Sequence, residues 1–315
     1  MKKISIITPC FNEEQNIQEC HERLLQTMKN LLPDYDYEHI FADNSSTDNT
    51  VGVLKQIALQ DKRVKIIVNS RNIGPFRNMW NAMKSATGDA VIPLLPADLQ
   101  DPPEIIPQFV ERWEGGDLVV YGVRKNRQES IVMRVLRDIY YRIIYRFADS
   151  VIPRDAGEFL LADRRIVSSI LAVDDAYPYI RGLIAQTAVQ SSSVRYTWTK
   201  RRNGKSHNSF FDLLDQGING FVSTSRITAR ICLFFGFVLS VFGVLAAVFT
   251  LVTTLIDRPS VQSGIPTLIV AVFCFSGFQL LFLGIIGEYV LSIHGQVRRA
   301  PAMFEVEKIN FESNP

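Results

Sequence analysis

One acidic segment combines the residue types that bind a divalent cation. Asp98 follows an apolar run that predicts a buried strand, and Gln100 and Asp101 come directly after it. Carboxylate and amide oxygens are ligands that Mg²⁺ and Mn²⁺ prefer. Such an ion would neutralise the charge of a diphosphate leaving group. Because Asp101 stands before two prolines, we predict that it caps a helix, that Asp98 binds the metal, and that Gln100 joins or orients Asp98.

Polar residues also follow the first two apolar runs of the chain. Asn12 and Glu13 come after the first run, and Asp43 ends the second. The carboxylate of Asp43 could accept a hydrogen bond from a nucleobase or ribose, or Asp43 could be a simple turn residue. Glu13 has the same ambiguity, and a helix that begins there could favour an anion. Asp48 fits the cap of the next helix better than a ligand.

The elements that would position these residues alternate between strand and helix. Apolar runs predict strands at 4–8, 38–42, 64–68, 90–95 and 118–121. Stretches with helical periodicity lie between them near 13–31, 47–59, 75–85 and 103–113. This alternation predicts βαβ units and a Rossmann-like α/β fold with a mostly parallel sheet. Ligands bind beyond the carboxyl ends of such strands, where the polar residues lie.

Two long apolar runs follow this polar region. The run 231–256 has no charged residue, and the run 265–289 has one charged residue, Glu288. A bilayer core of about 30 Å needs about 20 apolar residues of helix, so both runs predict transmembrane helices. Arginines flank the pair on both outer sides, at 226, 230, 298 and 299. The positive-inside rule then predicts a multi-pass protein of the cell inner (plasma) membrane, with its catalytic domain and both termini in the cytoplasm.

The remaining segments complete a prediction of the domain organisation. The predicted parts are a catalytic domain at 1–207, an interfacial helix and connector at 208–230, a membrane hairpin at 231–290 and a cytoplasmic tail at 291–315. Residues 130–147 mix apolar side chains with arginines, which suits either a helix at the membrane interface or an ordinary amphipathic surface helix. The net charge of +2 predicts no preference for a polyanion, and we expect no nucleic-acid partner.

Several motifs, taken in order, resemble family 2 glycosyltransferases of the GT-A fold. These motifs are TPCFNEE at 8–14, DNSSTD at 43–48, DLQDPPE at 98–104 and GVR at 122–124. The third motif is similar to the polyprenyl-phosphate branch, which includes dolichol-phosphate mannose synthases and the GtrB-like bacterial undecaprenyl-phosphate glucosyltransferases. The segment 284–289 also resembles the bacterial members, so the resemblance covers nearly the whole chain.

The resemblance implies a metal-dependent, inverting transfer of a single sugar. The donor would be a UDP- or GDP-linked sugar, and the acceptor a polyprenyl phosphate, with undecaprenyl phosphate expected, at the cytoplasmic face of the membrane. Residues assigned to the nucleotide sugar are Pro9, Phe11, Glu13, Asp43 and Asp98. The resemblance also implies a homo-oligomer, namely a tetramer. It leaves the sugar and the nucleotide open.

Basic and acidic residues further along the chain are assigned to the acceptor by the same resemblance. Arg124 and Arg134 match positions that bind the lipid phosphate, for which the planar guanidinium is suited. Arg201 opens a basic loop that is assigned to phosphate binding or could be a solvated turn. Asp155 or Glu158 is the expected acid near the acceptor, with a catalytic or orienting role or a place in the metal shell. The residues leave open which of the two faces the site.

Two departures from the family pattern bear on activity. Pro96 replaces the first carboxylate of the metal motif, which should weaken metal binding without abolishing it, and Asn44 replaces the second Asp of the nucleotide motif. The alternative is therefore a catalytically weakened or silent nucleotide-sugar-binding partner in a lipid-linked sugar pathway. A processive polysaccharide synthase fits less well, because its Gln-x-x-Arg-Trp motif has no counterpart here at the right spacing and place.

Overall fold

The computed structural model describes residues 1–125, 153, 156–173, 175, 178–187, 190–198, 264–297 and 304–311, with scattered residues from 236 to 252. The chain divides into two compact units. The first unit comprises Met1–Asp215 and Arg299–Pro315, and the second comprises Gln216–Arg298. All the strands of the described residues belong to the first unit.

Eight strands and seven α-helices account for most of the described residues. The strands are β1 Lys3–Cys10, β2 Asp36–Asp43, β3 Val64–Asn69, β4 Ala90–Ile92, β5 Val119–Lys125, β6 Ala156–Asp163, β7 Ser191–Thr197 and β8 Glu305–Ile309. The helices are α1 Ile17–Leu31, α2 Thr50–Gln60, α3 Pro75–Ser85, α4 Ile106–Glu114, α5 Arg164–Leu171, α6 Ile180–Thr187 and α7 Ile265–Val297. A short 3-10 helix, Pro103–Ile105, precedes α4.

The strands form one sheet in the order β7-β5-β6-β4-β1-β2-β3-β8. The central strands β4, β1, β2 and β3 run parallel to one another, and β5 runs parallel to β7. Strand β6 is antiparallel to β4 and β5, and β8 is antiparallel to β3. The predicted α/β fold with a mostly parallel sheet is confirmed. Because β1 to β4 end on the same side, we call that side the carboxyl edge.

Helices cover both faces of the sheet, and strand alternation assigns the core to two sides. Ile4 and Ile6 of β1 pack in a cluster with residues of α1 and α4. Ile7, the neighbour of Ile6, packs in a second cluster with residues of α3, α5 and α6. Strand β1 is therefore apolar on both sides, as expected for a central parallel strand.

The sequence located the first half of the fold closely. The helix predicted at 75–85 has those bounds, because Pro75 suits the first helical position and Gly74 before it adopts a φ of 83°. Strand β5 extends four residues beyond the predicted end at 121, so Arg124 lies within the strand and not after it. Strands β6 and β7 were not predicted.

Part of the predicted tail 291–315 belongs to the sheet. Strand β8 pairs with β3 as an edge strand. The Asn310 side chain then donates hydrogen bonds from Nδ2 to the carbonyl oxygens of Ala58, at 2.9 Å, and Val64, at 2.8 Å. The chain therefore leaves the first unit, forms the second, and returns to the sheet that it left.

The second unit contains α7 and described residues of the run before it. A Cβ atom added at Gly236 would lie 4.0 Å from Phe282, and one added at Gly243 would lie 3.9 Å from Phe275. The position along the first run increases while the position of its neighbour on α7 decreases, as in two antiparallel helices. Among the described residues, no helix meets the combined length and hydropathy needed to cross a bilayer. Most of 231–256 and the predicted interfacial segments 130–147 and 208–230 lie outside the described residues.

Candidate active site

The loops after β1 and β2 meet at the carboxyl edge and are bonded to each other. The Asn12 N–H donates to Ser46 Oγ at 2.9 Å, and the Thr47 N–H donates back to Asn12 Oδ1 at 2.8 Å. The Glu13 N–H donates to Thr50 Oγ1 at 2.9 Å. Asn12 adopts a φ of 56°, a left-handed conformation that Asn tolerates better than most residues. The two predicted nucleotide motifs therefore form one framework.

Asp43 has a buried carboxylate, and one of its oxygens lacks a hydrogen-bond partner among the described residues. The residue is 0% exposed, and its Oδ2 accepts a hydrogen bond from the Ser46 N–H at 3.0 Å. Within the described residues, Asp43 Oδ1 is buried and has no hydrogen-bond partner. Burial raises the pKa of Asp43, and the bonds from Ser46 only partly offset it. A buried acceptor without a donor is costly, which favours a ligand N–H or O–H at this point.

Asn44 holds the loop that follows β3. Its Nδ2 donates to Asn72 Oδ1 at 2.8 Å, and its Oδ1 accepts from the Ile73 N–H at 3.0 Å. Asn72 Oδ1 also accepts from the Gly74 N–H at 3.0 Å. An ionised aspartate at position 44 could not donate to Asn72. Asn44, which replaces the aspartate of the family motif, therefore fixes the loop after β3 beside Asp43.

The other residues predicted for the nucleotide sugar lie at the same edge. Pro9 is in β1 and Phe11 directly follows that strand, and both are half-buried. Glu13 is half-buried, and its Oε2 accepts from Asn16 Nδ2 at 2.6 Å. Asp48 Oδ1 accepts from the N–H of Thr50, the first residue of α2, at 3.0 Å. Asp48 was predicted to cap this helix; the N-cap is Asn49, which makes no side-chain cap bond, and Asp48 bonds the first helical residue from one position earlier.

Asp98 and Gln100 occupy a tight turn after β4. Asp98 is half-buried, its Oδ1 accepts from the Gln100 N–H at 3.2 Å, and Leu99 between them has a φ of 56°. In the described part of the chain, no three His, Cys, Asp or Glu side chains are grouped closely enough to hold a metal. One carboxylate and one amide still fit an ion that takes its other ligands from a substrate diphosphate, as Mg²⁺ often does.

Asp101 forms an ion pair and does not cap a helix, because a tertiary partner competes for its carboxylate. Arg124 donates from Nε to Asp101 Oδ1 at 3.0 Å and from Nη2 to Oδ2 at 2.7 Å. The Tyr196 hydroxyl donates to Asp101 Oδ1 at 2.5 Å. Asp101 is fully buried, and no side chain caps the 3-10 helix that follows. Asp101 connects the turn after β4 to Arg124 on β5.

Glu158 is a half-buried residue whose carboxylate is largely enclosed, with a side-chain exposure of 11%. Arg181 Nε lies 3.8 Å from Glu158 Oε1, and Oε2 has no hydrogen-bond partner among the described residues. Burial raises the pKa of Glu158, and Arg181 and Arg124 only partly offset it. Arg181 is held in turn by the Tyr179 hydroxyl, to which its Nη2 donates at 2.8 Å. Of the other predicted residues, Asp155, Arg134 and Arg201 lie outside the described part of the chain.

Tyr196 and Arg181 were not predicted from the sequence. Tyr196 lies on β7, where Val194 and Tyr196 are buried and their neighbours are more exposed. That alternation is a weak strand signal, because only two apolar residues carry it. Arg181 lies near the start of α6, and no local pattern distinguishes it from other surface arginines.

Comparisons with known proteins identify the family of this chain. The family model described as glycosyl transferase family 2 matches residues 5–171. The uncharacterized glycosyltransferase YkcC of Bacillus subtilis is 32% identical over 96% of this chain and 93% of its own length. The SfII prophage-derived bactoprenol glucosyl transferase of Shigella flexneri is 28% identical over 95% of this chain and 96% of its own.

A similar solved structure is that of glucosyl-3-phosphoglycerate synthase from Mycobacterium tuberculosis. The match covers 69% of this chain and 77% of the synthase chain, at 19% identity and a TM-score of 0.48. The family match spans more than half of the chain and includes the strand ends that carry Asp43 and Asp98. The predicted resemblance to bacterial prenyl-phosphate transferases is confirmed by relatives that match nearly end to end. The chain belongs to glycosyl transferase family 2 and is a glycosyltransferase.

Proposed function

We propose that this enzyme transfers one sugar from a nucleotide-diphosphate sugar to a polyprenyl phosphate. The observation that carries the proposal is the buried Asp43, whose Oδ1 has no partner among the described residues, at the same edge as the Asp98 turn. This arrangement fits a nucleoside bound beside a diphosphate. The acceptor class is supported by the relatives named bactoprenol glucosyl transferases, which this chain matches over 95% of its length.

The donor would lie across the ends of β2, β1 and β4. Asp43 would accept a hydrogen bond from the nucleoside, and the framework of Pro9, Phe11 and Glu13 would form the adjoining wall. Asp98 and Gln100 would hold Mg²⁺ or Mn²⁺ against the diphosphate. When bound, the ion supplies positive charge that stabilises the departing nucleoside diphosphate.

The reaction would be an in-line displacement with inversion. An oxygen of the lipid phosphate attacks the anomeric carbon, the bond from that carbon to the diphosphate oxygen breaks, and the nucleoside diphosphate leaves with the electron pair. A phosphate monoester is already anionic at neutral pH, so no strong general base is needed. Arg124, with Arg134 and Arg201 outside the described residues, would bind the acceptor phosphate. Glu158 or Asp155 would orient the acceptor or complete the metal shell.

We also propose that the two apolar runs form a membrane hairpin. Along α7, large apolar side chains are exposed, for example Leu268 at 64%, Leu280 at 69% and Leu291 at 64%. An apolar surface of this extent needs lipid or protein to cover it. Because the chain returns to the sheet as β8, any bilayer crossings between 215 and 299 must be even in number. Two crossings place both termini on one side, which we propose is the cytoplasm.

A transfer assay with full-length protein in detergent tests the reaction. Radiolabelled UDP-glucose, UDP-galactose, UDP-N-acetylglucosamine and GDP-mannose are each supplied with undecaprenyl phosphate and Mg²⁺, Mn²⁺ or EDTA. We expect labelled lipid from one donor, and none with EDTA. The Asp98→Ala variant should lose about 100-fold or more of the rate, because it loses the metal's charge stabilisation. Asp34→Ala, on an exposed loop, is the matched control and should keep full activity.

Two results would contradict the proposal. Donor binding without transfer to any lipid phosphate would instead support a silent nucleotide-sugar-binding partner. Transfer that resists EDTA and Asp98→Ala would overturn the metal assignment and leave the acceptor assignment intact. Protease accessibility of the termini in sealed inverted vesicles tests the cytoplasmic placement, and the mass of the detergent-extracted protein tests the implied tetramer.

A further inference from the structure

Arg124 is held along one edge of its guanidinium by two side chains, those of Asp101 and Tyr196. The edge formed by its Nε and Nη2 atoms is bound by both oxygens of Asp101, at 3.0 and 2.7 Å. Its Nε also donates to the Tyr196 hydroxyl at 3.3 Å. A planar guanidinium bound along one edge has a fixed orientation, so its remaining N–H groups point in set directions. The loop after β4 and residues of β5 and β7 together therefore fix the orientation of the Arg124 guanidinium.

Tyr196 completes the arrangement through its hydroxyl. That hydroxyl donates to Asp101 Oδ1 at 2.5 Å and accepts from Arg124 Nε, so it bridges the carboxylate and the guanidinium. Burial raises the pKa of Tyr196, which keeps the hydroxyl protonated and able to donate at neutral pH. The ring of Tyr196 packs edge-on to Phe159 at a centroid distance of 5.7 Å. The hydroxyl is therefore delivered by a ring that is fixed independently in the core.

Gly122 leaves space for the Tyr196 ring of this cluster. A Cβ at Gly122 would lie 3.0 Å from the Tyr196 ring and 2.6 Å from the carbonyl oxygen of Phe159. A Cβ at Gly157 would make only ordinary van der Waals contact with Arg124, at 3.4 Å from its Nη2 atom. Gly122 does not have a positive φ among the described backbone angles, so close packing and not backbone conformation explains it. The absence of a side chain at Gly122 therefore lets the Tyr196 ring approach β5.

The cluster also joins the two halves of the proposed reaction centre. Asp101 directly follows Gln100, so the segment that would hold the metal ends in the carboxylate that orients Arg124. We infer that Tyr196, acting with Asp101, is a positioning residue that sets the guanidinium of Arg124 for the acceptor phosphate. The inference rests on the proposed function, because it assumes that Arg124 binds that phosphate.

Tyr196→Phe tests the inference, since it removes the hydroxyl and keeps the ring. We expect the KM for undecaprenyl phosphate to rise about tenfold, which corresponds to one charge-assisted hydrogen bond. The donor KM should stay within about twofold, because the donor contacts are untouched. Tyr35→Phe is the matched control, because the Tyr35 hydroxyl donates to a carboxylate, Glu114, at 2.8 Å on the exposed surface. It should leave both KM values unchanged.

A double-mutant cycle separates positioning from a general loss of structure. In an Arg124→Lys background, where the bidentate pair is already lost, Tyr196→Phe should add less than about twofold to the acceptor KM. A purely structural tyrosine would give the same tenfold rise in both backgrounds. Asp101→Asn, which keeps the side-chain shape, is a second variant and should also raise the acceptor KM. Thermal unfolding of each variant identifies any that fails to fold.

The outcomes distinguish this inference from the function on which it rests. A wild-type enzyme that cannot use undecaprenyl phosphate would overturn the proposed function, and the inference with it. An active wild type whose acceptor KM is unmoved by Tyr196→Phe and by Asp101→Asn would overturn the inference alone. Equal shifts in donor and acceptor KM would also overturn it, because the cluster would then act on the metal-binding turn.

Discussion

Strand β2 carries a buried carboxylate near each end, and the two differ in how many hydrogen-bond donors surround them. Glu38, near the start, is 1% exposed, and its oxygens are saturated with donors. The Ser5 hydroxyl donates to Oε1 at 2.5 Å, the Thr87 N–H donates to Oε1 at 2.6 Å, and Lys65 Nζ lies 2.6 Å from Oε2. Asp43, at the carboxyl edge, accepts a hydrogen bond from the Ser46 N–H on Oδ2, and its Oδ1 has no partner among the described residues.

The two carboxylates consequently differ in the direction of their pKa shift. For Glu38, burial would raise the pKa, but Lys65, Ser5 and Thr87 outweigh it and lower the pKa to about 2. For Asp43, burial dominates and the pKa is raised. The ionised form therefore stabilises the fold at Glu38 and is costly to the fold at Asp43. The difference separates a structural carboxylate from one that is left to be completed by a ligand.

The largest expected effect is on stability at Glu38. A pKa lowered from 4.5 to about 2 in a residue that is 1% exposed corresponds to about 3 kcal/mol at neutral pH. Glu38→Gln should lose about that much, because Lys65 is left near an uncharged amide. Stability from a lowered pKa is present above the unfolded value and is lost as the pH falls from about 4.5 to 2. Urea unfolding measured from pH 2 to pH 7 should show a shallower decline of stability in acid for the variant than for the wild type.

The control for this prediction is nucleotide binding. Glu38→Gln lies at the opposite end of β2 from the proposed site, so its affinity for the donor nucleotide should equal that of the wild type at temperatures where it is folded. An unchanged free energy of unfolding would contradict the structural assignment. A weakened affinity with unchanged stability would reverse the comparison.

The next effect is on binding at Asp43. Asp43→Asn should keep the bond from Ser46 through its amide oxygen, but it places an N–H group where a ligand donor would bind. We expect the affinity for the donor nucleotide, measured by calorimetry with UDP and with GDP, to fall about 100-fold for the nucleotide that the wild type prefers. Stability should hold or rise slightly, because a costly buried charge is removed. Loss of stability with normal affinity would show that Asp43 is structural after all.

Local sequence patterns predicted the parts of the fold that local physics determines. Strands β1 to β4 are short apolar runs, and α3 has a proline at its first position, so each could be located without its neighbours. Strand β8 could not, because three of the five residues in its Glu305–Ile309 segment are charged and its pairing comes from β3, far away in the sequence. Edge strands of this type depend on a partner more than on their own propensity.

The site divides along the same line. Asp43 and Asp98 were predicted because each follows a buried strand, and ligands bind there in parallel sheets. The link from Asp101 to Arg124 and Tyr196 was not predicted, since these residues are separated by 23 and 95 positions in the sequence. The local pattern before Pro102 favoured a helix cap. A bidentate arginine supplied by the sheet competes successfully for the same carboxylate.

The smallest effect sharpens the contrast at the carboxyl edge itself, where Asn44 neighbours Asp43. Asn44→Asp removes the donor to Asn72, so the loop after β3 loses one hydrogen bond of about 1 kcal/mol, and donor affinity should fall about fivefold at pH 7. Lower pH should restore part of the loss, because a protonated aspartate can donate again. Wild type should lack this recovery, because its amide does not titrate. Asn81→Asp is the matched control, since the Asn81 amide donates to Glu305 at 2.7 Å near β8. If both variants weaken nucleotide binding equally, the effect is general and Asn44 has no particular role in shaping the pocket around Asp43.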